Sequence, residues 1–126
     1  MSQHNREIGK IGEDLAVQYL FSQGYEIVDR NFRTEHGELD LVAKDCGQFV
    51  FVEVKTRTSQ RFGYGEYAVN KKKLKAMIFA AETYLAEQQA AADNWRLDVI
   101  VIECSSPNAV PDVRHFINVG LEVGDE

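Results

Sequence analysis

Apolar positions along the chain recur with two different periods. From Arg6 to Gln23 they fall at Ile8, Ile11, Leu15, Tyr19 and Leu20, with Ala16 and Val17 between them. That is the stripe of an amphipathic helix, and Gly24 follows it as a stop signal. Three strand-like stretches come next: YEIVDRNFRT (25–34), ELDLVAK (38–44) and QFVFVEVKT (48–56). Helical spacing returns from Asn70 to about Gln89, with Leu74, Met77, Ile78, Ala81 and Leu85 on one side and Asn70 suited to the N-cap. RLDVIVIEC (96–104) reads as a strongly apolar fourth strand, and VRHFINVG (113–120) as a fifth after the Pro107–Pro111 loop. The order α-β-β-β-α-β-β predicts an α/β domain with a mixed central sheet flanked by helices. One domain is expected over residues 1–120, with a loose tail at 121–126.

The third strand changes character along its length. In GQFVFVEVKT (47–56), Phe49, Phe51, Glu53 and Lys55 share one face, while Val50, Val52, Val54 and Thr56 share the other. One face is apolar throughout; the other turns from aromatic to ionic. A charge at a half-buried position is expensive unless it is paired or binds something. A two-residue turn at Cys46 and Gly47 would set Asp45 opposite Gln48, and by the same register Asp40 opposite Glu53. Directly opposed residues have Cβ atoms about 4.5–5.5 Å apart, so two like charges there destabilise the hairpin. A divalent cation between them reverses the sign, and oxygen-only donors suit Mg²⁺ or Mn²⁺ rather than zinc. An exposed hairpin end with a Glu53–Lys55 ion pair would give the same pattern.

The length of 126 residues allows a real core. The first ten residues are polar and contain no apolar core segment, so no secretory leader is expected, and no run approaches the roughly 18 apolar residues of a membrane span. Cys46 and Cys104 lack metal-ligand spacing and are expected as a reduced pair in a soluble cytoplasmic protein. The net charge is −6, which alone argues weakly against a nucleic-acid partner. Its distribution argues otherwise. Residues 54–76 hold seven basic residues against one acidic, whereas the segments before and after carry −5 and −7. An acidic protein with one basic block can still grip phosphates locally. Lys71, Lys72 and Lys73 fall in the first turn of the second helix, where the macrodipole disfavours cations and free backbone amides favour an anion. Arg57 and Arg61, in the loop expected after the third strand, could extend that grip along a DNA backbone. Phe62, Tyr64 and Tyr67 in the same stretch are candidates for loop packing or for stacking on bases. His4, His36 and His115 are scattered, and there is no glycine-rich phosphate loop with its lysine.

Asp40, twelve intervening residues and then Glu53-Val54-Lys55 resemble the D…ExK core of the PD-(D/E)xK nuclease superfamily, whose fold is restriction endonuclease-like. The segments GKIGEDLAVQYLFSQGYEIVDRN, GELDLV, FVEVKTR, AVNKKKLKAM and RLDVIVI are narrower still: they resemble the uncharacterised YraN-type family, itself similar to archaeal Holliday-junction resolvases. Leu39-Asp40 stands where the superfamily usually has Pro-Asp, and the carboxylate is kept.

The resemblance implies roles residue by residue. Asp40 and Glu53 would coordinate Mg²⁺ or Mn²⁺, the carbonyl of Val54 would complete the protein ligands, and Lys55 would orient the attacking water or stabilise charge on the phosphate. Glu13 matches a first-helix glutamate that helps hold metal or water. Glu38, two residues before Asp40, is either an outer-shell ligand or a rim charge. The implied activity is metal-dependent hydrolysis of DNA phosphodiester bonds, on branched DNA, by a protein that acts as a homodimer. The alternative is a non-catalytic nucleic-acid-binding or adaptor protein with the same fold.

Overall fold

A parallel pair of strands cannot be joined by a tight turn, so a chain that alternates hairpins with a helical segment builds a mixed sheet. The computed structural model describes residues 3–58, 70–90, 94–104, 106 and 109–119. Its elements are α1 (Gln3–Ser22), β1 (Glu26–Arg33), β2 (Glu38–Asp45), β3 (Gln48–Arg57), α2 (Lys71–Glu87), β4 (Trp95–Glu103) and β5 (Asp112–Phe116). The strands lie in the order β1-β2-β3-β4-β5. Every neighbouring pair is antiparallel except β3 and β4, whose crossover contains α2. This is the α-β-β-β-α-β-β order and mixed sheet expected from the periodicity. The tail at 121–126, Arg61, Phe62, Tyr64, Tyr67 and Pro107 lie outside the described residues.

Local chemistry sets the ends of the elements. Gly24 closes α1 in the left-handed region at φ 91°, where a side chain would be strained. Asn70 caps α2, its side-chain oxygen accepting a 2.8 Å hydrogen bond from the Lys73 N–H. Cys46 and Gly47 both take positive φ, 51° and 87°, as a two-residue type I′ hairpin turn requires. The pairs Asp45↔Gln48 through Leu41↔Val52 follow in the expected register.

One helix covers each face of the sheet. Ala16 and Leu20 of α1 pack with Leu41, Ala43, Val50, Val52, Ile100 and Ile102. On the other face, Leu74, Met77, Ala80, Ala81, Tyr84 and Leu85 of α2 pack with Leu39, Val42, Phe51 and Leu97. Of the expected α1 stripe Leu20 is fully buried, but Ile11 is 56% exposed, whereas Ala16, read as lying between stripe positions, is fully buried. Strand β5 is shorter than VRHFINVG suggested, and Arg57 closes β3 instead of opening the loop. Among the described residues no helix is long and apolar enough to cross a membrane.

The fourth strand conceals a charge. Asp98 is fully buried and holds an ionic cluster on the α1 face. Arg96 Nε donates to Asp98 Oδ1 at 3.0 Å, and His115 Nε2 of β5 lies 2.7 Å from Asp98 Oδ2. The Asn118 N–H also donates to Asp98 Oδ1, at 3.0 Å. Tyr25 accepts from Arg96 at 2.7 Å, and Tyr19 lies 3.1 Å from His115 Nδ1. Burial pushes the Asp98 pKa upward, but the hydrogen bonds from His115, Arg96 and Asn118 outweigh it and hold the carboxylate below its ordinary range. The cluster fastens β5 and the C-terminal half of α1 to β4.

The other half of α1 is set by an absent side chain. A Cβ on Gly12 would overlap Thr56 Oγ1 and meet Thr56 Cβ at 3.0 Å, so α1 lies against β3 at a distance only glycine permits. A Cβ on Gly9 would meet nothing within 4 Å. Gly12→Ala should therefore destabilise the fold by about 1–3 kcal/mol through overpacking. Gly9→Ala should gain roughly 0.5–1 kcal/mol of helix propensity. Urea unfolding of the two variants checks the contrast, and equal effects would rule out the close approach.

Candidate functional site

The β2–β3 backbone pairs end at Leu41↔Val52, one step before Asp40 would meet Glu53. Beyond that step a side chain replaces the backbone: Asp40 Oδ2 accepts the Val54 N–H at 2.8 Å. Alternation slips at the same place, because Leu39 joins the α2-side core while Leu41 joins the α1-side core. Asp40 sits at the slip, beside the Glu53 carboxylate. Its pKa is raised from 3.8 to about 7, first by burial and then by the charge of Glu53. The hydrogen bond from Val54 opposes the rise, and Glu38 adds a smaller push from further off. The approach of Asp40 to Glu53 expected from the register is thus present, although the two residues lie one step beyond the last ladder pair.

Glu13 enters from α1. It lines a cleft of about 260 Å³ with Ile8, Gly9, Asp40, Val54, Thr56 and Thr58. Its pKa is raised by burial and by Asp40, against the pull of Arg30 and of a hydrogen bond from Asn31. Arg30 Nη2 stands 2.8 Å from Asp14 and 3.6 Å from Glu13, so β1 steers the acidic face of α1 into the cleft. Asn31 adopts a left-handed φ of 55° within β1, a conformation that asparagine tolerates better than most residues.

The basic residues are arranged less uniformly than their grouping in the chain suggested. Lys55 follows Glu53 by two residues on β3 and is half-buried. Lys71, Lys72 and Lys73 begin α2 as expected, but Lys73 Nζ lies 3.6 Å from Glu53 Oε1. Arg57 is half-buried in β3, with its Nη1 at 3.5 Å from the Thr56 carbonyl oxygen, so it belongs to the strand and not to a loop. Glu38 pairs with Arg33 at 3.2 Å at the rim. His36 stacks edge-on against Phe79, with ring centres 4.9 Å apart. Cys46 and Cys104 are free thiols. Among the described residues no three His, Cys, Asp or Glu side chains form a ready-made metal centre. The donors that do meet are carboxylate oxygens, with no sulfur or imidazole among them. That set fits a hard cation such as Mg²⁺, which keeps most of its waters and binds proteins through one or two carboxylates plus substrate phosphate.

Two parts of this geometry were missed in the sequence. The contact of Lys73 with Glu53 joins different layers, and its only trace was a cation in the unfavourable first turn of a helix. The Arg30 and Asn31 contacts to Glu13 depend on a register shift in β1 between Ile27 and Asp29, which leaves no local signature.

The family model "Uncharacterised protein family UPF0102" matches residues 12–102, in line with the YraN-type resemblance. A UPF0102 protein of Geobacter metallireducens is 45% identical across 94% of this chain and 95% of the relative. One from Caldicellulosiruptor saccharolyticus is 41% identical across 91% and 98%. Among solved structures, Pyrococcus furiosus SfsA in complex with Ca²⁺ aligns with a TM-score of 0.45 at 16% identity, over 90% of this chain. The chain spans 64% of the length of that structure.

The raised Asp40 pKa has a signed consequence. The folded state retains a proton that the unfolded chain releases, so stability falls as pH rises from about 4 to about 7. Asp40→Asn keeps an oxygen for the Val54 N–H and removes the titration. In metal-free buffer its advantage over wild type should grow across that interval and level off above it, on the order of 2–4 kcal/mol. Denaturant titrations at a series of pH values measure the difference, and a pH-independent difference would refute the assignment.

Proposed function

The chain belongs to the uncharacterised protein family UPF0102, and we propose that its acidic cleft is the active site of a metal-dependent DNA endonuclease that acts on branched DNA. The observation that carries this reading is the meeting of Asp40 and Glu53 at the end of the β2–β3 ladder, with the Asp40 carboxyl pushed up to about 7. A protein that needed only stability would gain by replacing one of the two. A site that takes a divalent cation needs both.

Asp40 and Glu53 would hold Mg²⁺ or Mn²⁺, with Glu13 and the Val54 carbonyl as further oxygens. The bound cation supplies a lowered pKa for water and neutralises charge that develops on phosphorus. The protein's own residues do the rest. The Val54 N–H fixes the Asp40 carboxylate, and Arg30 and Asn31 orient Glu13 toward the cleft. Lys55 brings a positive charge to the developing phosphorane without using a metal position. Lys71 and Lys72, with the amides at the start of α2, draw the DNA backbone toward the acidic cleft. Arg57, the last residue of β3, would extend this basic path. A two-fold homodimer would present two such sites to the two symmetric strands of a four-way junction.

A second reading has its own observation. Lys73 already stands beside Glu53 at 3.6 Å, as expected if that pair is structural and the protein is a DNA-binding adaptor without turnover. Glu53→Gln separates the two. With Mg²⁺ or Mn²⁺, wild type should cleave at least one substrate in a panel of duplex, single-stranded, flapped and four-way DNA, and the variant should lose more than about 100-fold of that rate. Added Mg²⁺ should raise the melting temperature of wild type by mass action and that of the variant much less. Failure of wild type to cleave any substrate, together with no metal-induced stabilisation, would leave the adaptor.

A further inference from the structure

Three charges meet where β3 approaches the start of α2. Glu53 is largely covered, its side chain 13% exposed, while Lys73 is 35% exposed. Lys73 is held at that point by its own backbone, since its N–H donates to the Asn70 cap at 2.8 Å. Its ammonium therefore reaches Glu53 from a fixed helix end. It supplies one positive charge to Glu53, which stands beside the Asp40 carboxyl. An ammonium offers three hydrogen-bond donors but cannot bridge two carboxylates as closely as a divalent ion.

Resting on the metal-site reading, we propose that Lys73 is a stand-in cation: it holds Glu53 until a divalent ion arrives, and the ion's arrival frees the ammonium for a DNA phosphate. The consequence is coupling. Metal binding must break the Lys73–Glu53 pair, so the lysine competes with metal when DNA is absent. Once released, it stands in the first turn of α2 beside Lys71 and Lys72, where backbone amides already favour an anion. Metal then tightens DNA binding by more than charge neutralisation in the cleft, and DNA tightens metal binding by the same factor, as linkage requires. A phosphate would thus be held firmly only when the metal that acts on it is in place.

Lys73→Met tests this, because it keeps the apolar stem and removes the charge. Lys72→Met, one residue earlier in the same turn, is the control. Ca²⁺ serves as the probe metal, its affinity read by calorimetry and by thermal shift without DNA. Affinity for a labelled four-way junction is measured in EDTA and in Ca²⁺, with intact DNA verified on a gel. Lys73→Met should bind Ca²⁺ about two- to five-fold more tightly than wild type, the range an exposed ion pair is worth. Its DNA affinity in EDTA should stay within about two-fold of wild type, since the wild-type lysine is engaged there, while its gain on adding Ca²⁺ should shrink. Lys72→Met should weaken DNA binding in both buffers and leave Ca²⁺ affinity unchanged. If wild type binds Ca²⁺ and Lys73→Met shows the same Ca²⁺ affinity and the same gain, the pair is a surface ion pair and the inference fails alone. If wild type binds no divalent cation by either method, the inference and the metal-site reading fall together.

Discussion

The hydrogen bond from the Val54 N–H to Asp40 decides what the rest of this protein can do. It lies where the β2–β3 pairs stop, and it gives a backbone donor an acidic side chain as acceptor. The substitution satisfies the backbone and at the same time fixes a carboxylate beside Glu53. Either residue alone would be an ordinary rim charge. Held together by the end of a ladder whose three nearest pairs are apolar, they form a local excess of negative charge that the core on both faces keeps from relaxing. Glu13 from one layer and Lys73 from the other converge on the same point because each helix is pinned independently, one by Gly12 against Thr56 and one by the Asn70 cap.

Much of this was legible before any coordinates. The Cys46-Gly47 turn has the left-handed backbone that a two-residue hairpin demands, and the register followed from it. With the register came the approach of Asp40 to Glu53. Local signals, such as turn chemistry and period, were sufficient there. They did not reveal the slip between Leu39 and Leu41, because both residues are apolar and either face would accept them. Nor did they reveal which side of α1 is buried: Ile11 looked like core, but the smaller Ala16 is what the close approach of helix and sheet admits. Arg57 read as loop because a cation after Thr56 resembles a strand end, whereas its pairing with Glu103 on β4 carries β3 further.

Asp98 was hidden for a different reason. An acid in a mostly apolar run of nine positions looks like the exposed face of a strand. Its partners come from Arg96 two residues earlier, from His115 on the edge strand and from the Asn118 backbone, and only the fold brings the last two close. Among the described residues, two buried or half-buried acidic centres thus have opposite electrostatics. At Asp98 the Arg96 cation and the hydrogen bonds outweigh burial, and the pKa is lowered; at Asp40 burial and the Glu53 charge outweigh the hydrogen bond from Val54, and the pKa is raised. The first is suited to fastening structure and the second to receiving a ligand.

The contact between Gly12 and Thr56 has a historical consequence. A substitution that enlarges residue 12 is costly while threonine occupies position 56, but a smaller residue at 56 would first open the room that a side chain at 12 requires. The two positions are therefore epistatic, and the order of change matters: 56 before 12 is a passable route, 12 before 56 is a barrier. Because Glu13 is the next residue in the helix, any lineage that took the passable route would also be free to reposition a carboxylate at the mouth of the cleft. The shape of one helix–strand contact would then govern how readily the acidic centre can be remodelled by descent.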